Sequence, residues 1–252
     1  MLNHKIYGQG DPIIILHGLF GMLDNWQTIA KKLAEHYMVI LVDQRDHGKS
    51  KHTDEFNYKL LAEDLRMFME DNWIHEAHVI GHSMGGKTAM QFAADNPDMV
   101  EKLIIVDIGP KAYQAGHDII FKALKSVPID EVQSRQEVEE VISEYIPEAG
   151  VRLFLMKNLQ RRKEGGFRWK MNLDLLHRDY PNIIAAIETN GEVDVESLFI
   201  YGTNSKYIQE GEPEQIGKIF TNAKFAPIEA GHWIHAEKPA ELLQQVNQFL
   251  SD

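Results

Sequence analysis

AHVIGHSMGGKTAM, residues 77–90, runs from an apolar, strand-like segment through a glycine-flanked serine directly into a helical pattern. The pentapeptide Gly81-His82-Ser83-Met84-Gly85 is a G-x-S-x-G turn in the strand-then-helix setting that gives it mechanical meaning. Glycines two before and two after the serine let strand and helix come close, and the tight turn holds the serine out of the backbone. The same serine opens the helix, where free N–H groups and the helix dipole favour developing negative charge. Ser83 is therefore the candidate nucleophile.

Short apolar runs flank this segment on both sides: PIIIL (12–16), MVILV (38–42), AHVI (77–80), KLIIV (102–106), SLFIY (197–201) and AKFAPI (223–228). Continuous apolar runs suit strands covered on both faces, which means a parallel sheet. Helical candidates lie between them, such as Asp24 preceding NWQTIAKKLAEH and the segment from Ser83 to Asn96-Pro97. The alternation predicts an α/β fold, a doubly wound and mostly parallel sheet. One interval breaks the rhythm, because 111–194 contains no convincing strand. Val138, Val141, Ile142, Tyr145 and Ile146 recur there at helical spacing, as do Ile183, Ile184 and Ile187. The expected organisation is a single domain whose core spans 1–110 and 195–252, with a helical lid insertion at 111–194.

Composition removes several function classes. The 252 residues carry 26 Lys and Arg against 38 Asp and Glu, a net charge of −12, so nucleic acid and anionic membrane surfaces are poor partners. There is no cysteine, which excludes disulfides, a thiolate nucleophile and cysteine-built metal sites. No stretch approaches the roughly 20 apolar residues of a membrane span, and MLNHKIYGQGDPIIILHG at the start holds no long apolar run. A cytoplasmic protein without stable membrane insertion is expected. Asp118, Asp130 and the scattered glutamates show no metal-ligand spacing, so neither metal nor other cofactor is expected.

Two further blocks complete a candidate site. Leu16-His17-Gly18-Leu19-Phe20-Gly21 follows the first buried run and, in a doubly wound sheet, falls beside the Ser83 turn. Acyl transfer needs two N–H donors aimed at an oxyanion; the backbones of Met84 and Leu19 are assigned, with Phe20 as the alternative second donor. His17 reads as a loop-packing residue. Ala230-Gly231-His232-Trp233 follows the last run and places His232 in a loop at the same sheet edge, so it is the candidate general base. Among 12 histidines, His36, His52, His75 and His117 read as bystanders, and neither His82 nor His235 is the first choice.

In this order the three blocks resemble the α/β-hydrolase superfamily over essentially the whole chain. Val42-Asp43-Gln44-Arg45-Asp46-His47-Gly48-Lys49-Ser50 is similar to that superfamily's D-x-R-G-H-G-x-S turn, with Asp46 standing where glycine is usual. That departure is read as one of turn geometry. The finer resemblance is to the small bacterial YbfF-type esterases, through LHGLFG, GHSMGGK, VDIGP, Gly202 to Tyr207 as G-x-N-S-x-Y, and GHWIH. In most of the superfamily the acid that orients the histidine follows the strand matching SLFIY. Here that turn is Gly202-Thr203-Asn204-Ser205, and between Val195 and Leu250 only glutamates occur, among them Glu196, Glu210, Glu212 and Glu229. One run earlier, KLIIVDIGP places Asp107 at the carboxyl edge, and the resemblance to YbfF-type esterases implies the same acid. A glutamate after SLFIY, with Asp107 merely capping a turn, is the alternative.

Phe20, Trp169, Tyr207 and Trp233 are the expected substrate contacts, and Phe154, Leu155, Met171 and Leu173 are further candidates for the pocket wall. Gln160-Arg161-Arg162-Lys163 reads either as a solvated helix end or as an attractor for an anion such as an acyl-CoA phosphate. The resemblance implies a serine hydrolase acting on a small-molecule acyl ester or thioester through Ser83, Asp107 and His232. A lyase, carbon–carbon hydrolase or cofactor-free peroxidase using the same three residues is the enzymatic alternative, and a non-catalytic receptor is the other. Oligomeric state is left open.

Overall fold

The computed structural model describes residues 2–251. Its strands are β1 (His4–Tyr7), β2 (Pro12–Leu16), β3 (Met38–Val42), β4 (Ala77–His82), β5 (Val100–Val106), β6 (Leu159–Arg161), β7 (Phe167–Trp169), β8 (Ser197–Gly202) and β9 (Ala223–Ile228). Its helices are α1 (Gln27–Leu33), α2 (Tyr58–Asp71), α3 (Met84–Asp95), α4 (Asp118–Ser126), α5 (Arg135–Ser143), α6 (Ala149–Met156), α7 (Leu173–Arg178), α8 (Tyr180–Ile184), α9 (Glu212–Gly217), α10 (Ile234–Glu237) and α11 (Pro239–Ser251). Seven strands form one sheet in the order β1-β3-β2-β4-β5-β8-β9, all parallel except β1, which pairs antiparallel with β3.

Strands β2, β3, β4, β5 and β8 each serve two cores, which is why their residues read as apolar runs. Ile14, Leu16, Ile40 and Val42 face α2 and α3, packing with Leu65, Phe68 and Met90. Ile13, Ile15, Val39 and Leu41 face the other way, onto Ile29 and Leu33 of α1 and Leu242, Val246 and Phe249 of α11. From β2 the chain steps to β3 on one side and then returns to β4 on the other. That reversal opens a crevice at the carboxyl ends of β2 and β4, where a doubly wound sheet places its ligand. The loop 17–22 and the Ser83 turn both emerge there.

Two features depart from expectation. β1 carries no apolar run, and two of its four residues are exposed at the sheet edge. The interval 111–194, expected to be without strands, holds the antiparallel hairpin β6–β7. Gln160 and Arg161 therefore lie on a strand rather than at a helix end. Arg161 sits over the Phe167 ring at 5.7 Å and Arg162 pairs with Asp130 at 2.7 Å, so two of the three cations in the cluster are spent on ties within the interval. Phe121, Leu124, Val138, Ile142 and Leu155 from this interval form a third core, which closes over Leu19, Phe20, Tyr58 and Met84. Among the described residues no helix is long and apolar enough to cross a membrane.

Candidate active site

The Ser83 turn is built by removing side chains. A Cβ on Gly81 would lie 2.3 Å from the Gly85 carbonyl oxygen, and one on Gly85 would lie 2.4 Å from that of Leu16. Only glycines let β4, α3 and the end of β2 approach this closely. Ser83 then takes φ 52° and ψ −121°, a conformation an L residue keeps only where its surroundings enforce it. Its own N–H is held by the Val106 carbonyl at 3.1 Å.

Asp107, directly after β5, is fully buried and also has positive φ, at 52°. Its N–H donates to Ile200 at 2.8 Å. One carboxylate oxygen accepts the Gly202 N–H at 3.0 Å, and the other accepts Ser205 Oγ at 2.5 Å and lies 2.7 Å from His232 Nδ1. A buried carboxylate with three donors is fully satisfied, and the bond to Nδ1 leaves His232 Nε2 as the free ring nitrogen. The Tyr207 ring stacks on the His232 ring at 4.0 Å. No glutamate after β8 is bonded to that imidazole among the described residues.

His82 has its own task. Its Nε2 donates to the His232 backbone carbonyl at 2.9 Å, and its ring packs against those of His232 and His235, with centroids 4.7 and 4.8 Å away. His17 bridges two loops: Nε2 accepts the Gln44 N–H at 3.1 Å and Nδ1 donates to Gly18 at 2.8 Å. His47 Nε2 accepts the Phe20 N–H at 3.3 Å, which occupies the alternative oxyanion donor. Burial drives these imidazoles toward the neutral form. His47 is pushed down to about 3 and His117 and His235 to about 4, and His17 and His82 are lowered by the same cause.

Two cavities meet at Ser83. The larger, about 650 Å³, is lined by Tyr58, Lys87, Tyr113, Tyr180, Ile183 and Tyr207 among others. The smaller, about 60 Å³, is lined by Phe20, Trp26, Val151, Phe154, His232 and Trp233 among others. Leu19, Ser83 and His117 border both. Phe20, Tyr207, Trp233, Phe154 and Leu155 thus reach the site. Trp169 does not: with Met171 and Leu173 it lines a separate groove beside His52 and Leu124, because the short hairpin turns it away from Ser83. His117, read as a bystander, borders both cavities instead. Tyr58, Tyr113 and Tyr180 carried no motif, whereas Lys87, one helical turn after Ser83, and Ser205 lay inside GHSMGGK and G-x-N-S-x-Y but were assigned no role. Among the described residues no three His, Asp or Glu side chains converge as a metal would require.

The family described as the alpha/beta hydrolase fold matches residues 11–134. The chain is 37% identical over 243 residues to Esterase YbfF of Escherichia coli, covering 96% of this chain and 93% of that protein. The chain belongs to the α/β-hydrolase family. It is 35% identical over 248 residues to the sn-1-specific diacylglycerol lipase ABHD11 of Mus musculus, covering 95% of this chain and 80% of that protein. Among solved structures, a marine microorganism esterase superposes with a TM-score of 0.96 at 42% identity, covering 98% of each chain. This α/β hydrolase thus has esterase and lipase relatives that match nearly its whole length.

Proposed function

We propose that this α/β hydrolase cleaves carboxylic esters or thioesters of small acyl substrates through an acyl-enzyme on Ser83. The observation that carries the reading is the 2.7 Å bond from His232 Nδ1 to the buried, three-donor carboxylate of Asp107, at the cavity Ser83 borders. In that arrangement His232 Nε2 takes the Ser83 proton as Oγ attacks the carbonyl carbon. The oxyanion is met by the N–H groups of Met84, at the start of α3, and of Leu19; Phe20 is less suited because His47 holds its N–H. His232 returns the proton to the leaving oxygen or sulfur, the acyl-enzyme forms, and a water deprotonated by His232 releases the acid. Residues 1–110 and 195–252 act as the core, and 111–194 as the lid that excludes water and walls the pocket. The esterase and lipase names of the relatives support ester substrates.

Fluorophosphonate labelling, together with p-nitrophenyl esters of increasing chain length and acyl-CoA thioesters, tests the reading. Wild type is expected to label and turn over, and Ser83→Ala to do neither. Turnover that survives Ser83→Ala overturns the proposal.

A further inference from the structure

The larger cavity has an unusual charge for this chain. Three lysines border it, Lys87, Lys111 and Lys206, and no aspartate or glutamate does, although acids outnumber bases 38 to 26 overall. Lys111 is answered by Glu212 at the rim. Lys206 is exposed and has no carboxylate partner among the described residues. Lys87 is the telling one: it is 1% exposed and stands on α3 one turn past Ser83, on the same helix face. Its Nζ donates to the carbonyls of Lys111 and Ala185, and lies 5.6 and 4.9 Å from the ring centroids of Tyr58 and Tyr113. All four partners are neutral. A buried ammonium without a counter-ion is costly, and burial pushes this one down to about 7; a bound anion would restore its charge.

We propose that the acyl half of the substrate ends in a carboxylate, which enters the larger cavity and is met by Lys87, with Lys206 attracting it at the mouth. The proposal rests on the acyl-enzyme reading above. The halves are assigned by His232, which borders the smaller cavity and not the larger. The leaving oxygen it protonates therefore points into about 60 Å³ of apolar space, suited to a short alcohol. A carboxylate fits better than a phosphate, because no arginine borders the larger cavity and Lys87 has already given two of its three N–H groups to carbonyls. The substrate class is thus the short-chain monoalkyl ester of a dicarboxylic acid.

The test compares monoethyl esters of succinic, glutaric and adipic acids with ethyl esters of the matching monocarboxylic acids, by pH-stat in the wild-type enzyme. A charge-assisted hydrogen bond predicts that kcat/KM favours the best anionic ester by about tenfold or more. In Lys87→Met the anionic-to-neutral ratio is expected to fall to about one. Because Lys87 also ties two carbonyls, inhibition of wild type gives a reading independent of that variant: glutarate is expected to compete and butyrate not. Equal kcat/KM for both series, a preference that survives the double change Lys87→Met and Lys206→Met, or stronger competition by inorganic phosphate than by glutarate overturns the carboxylate assignment. Fluorophosphonate labelling of the same preparations separates the two ideas. Labelling without anionic preference defeats only this proposal, whereas absence of labelling defeats the acyl-enzyme reading itself.

Discussion

At the carboxyl edge of the sheet the main chain does the positioning, whereas the interval 111–194 is attached largely through side chains that reach across to it. Ser83 and Asp107 each donate a backbone N–H to the neighbouring strand, and the glycines around Ser83 leave no room for another arrangement. Across the divide, Tyr58 Oη donates to Ile183 at 2.5 Å and Gln91 exchanges two hydrogen bonds with the Glu188 backbone, both at 2.8 Å. Asp46 supplies another of these ties. It takes φ 63° where the family's turn usually has glycine, a conformation aspartate tolerates better than most residues. Its buried carboxylate accepts Thr53 N and Oγ1, both at 2.7 Å, and Asn172 Nδ2 at 2.9 Å, while its carbonyl accepts Asn172 N at 2.9 Å. The residue read as a matter of turn geometry also fastens the interval to the core. The turns at the sheet edge are thus fixed by main-chain packing, and the interval 111–194 by side-chain contacts that substitution can remove.

Changes at the edge are expected to act on every substrate. Asp107→Asn offers the imidazole the wrong tautomer and should lower kcat about 10³- to 10⁴-fold, measured on several esters in parallel. Gly81→Ala forces strand and helix apart and should cost about 1–3 kcal/mol in urea unfolding. Asp46→Ala strands buried donors in the linking layer and should cost a similar ~1–3 kcal/mol. Its kcat on a short ester should fall less than about tenfold, since no reacting group is touched. A loss as deep as that of Asp107→Asn would erase the distinction between the two regions.

A pH dependence is shared by both regions. The lowered values of His47, His117 and His235 lie below the unfolded value of 6.5, so the unfolded chain binds more protons between them. Stability from these residues is complete above about pH 6.5 and is lost as pH falls toward 4. Tm measured from pH 7.5 to 4.5 should decline over that window, and His47→Gln and His117→Gln should each flatten the decline by a similar amount, since both folded values lie below 4.5.

The same division decides what could be read in advance. Five strands, β2, β3, β4, β5 and β8, were legible because burial on both faces makes them apolar runs, and the edge strand β9 because Phe225, Ala226 and Ile228 still pack inward. β1 was not, since none of its four residues is buried and HKIY carries no apolar run. The hairpin was hidden by strands of three residues, LQR and FRW, although Gly165 and Gly166 between them, at φ 100° and 71°, were a turn signal. Ser83, Asp107 and His232 stood out because each sits in a short motif tied to a strand end. Lys87, Tyr58 and Tyr180 meet only through tertiary packing, and local pattern does not report which way a side chain on a helix will find its cavity. Trp169 illustrates the converse: an aromatic residue in the right interval faces the wrong groove.

His82 carries a consequence of its own. Its ring, beside Ser83, grips the carbonyl of His232, 150 positions further along the chain. On the proposed reading this bond ties the loop of the base directly to the turn of the nucleophile. The spacing between Ser83 and His232 is thereby tied to a contact that neither side chain makes itself.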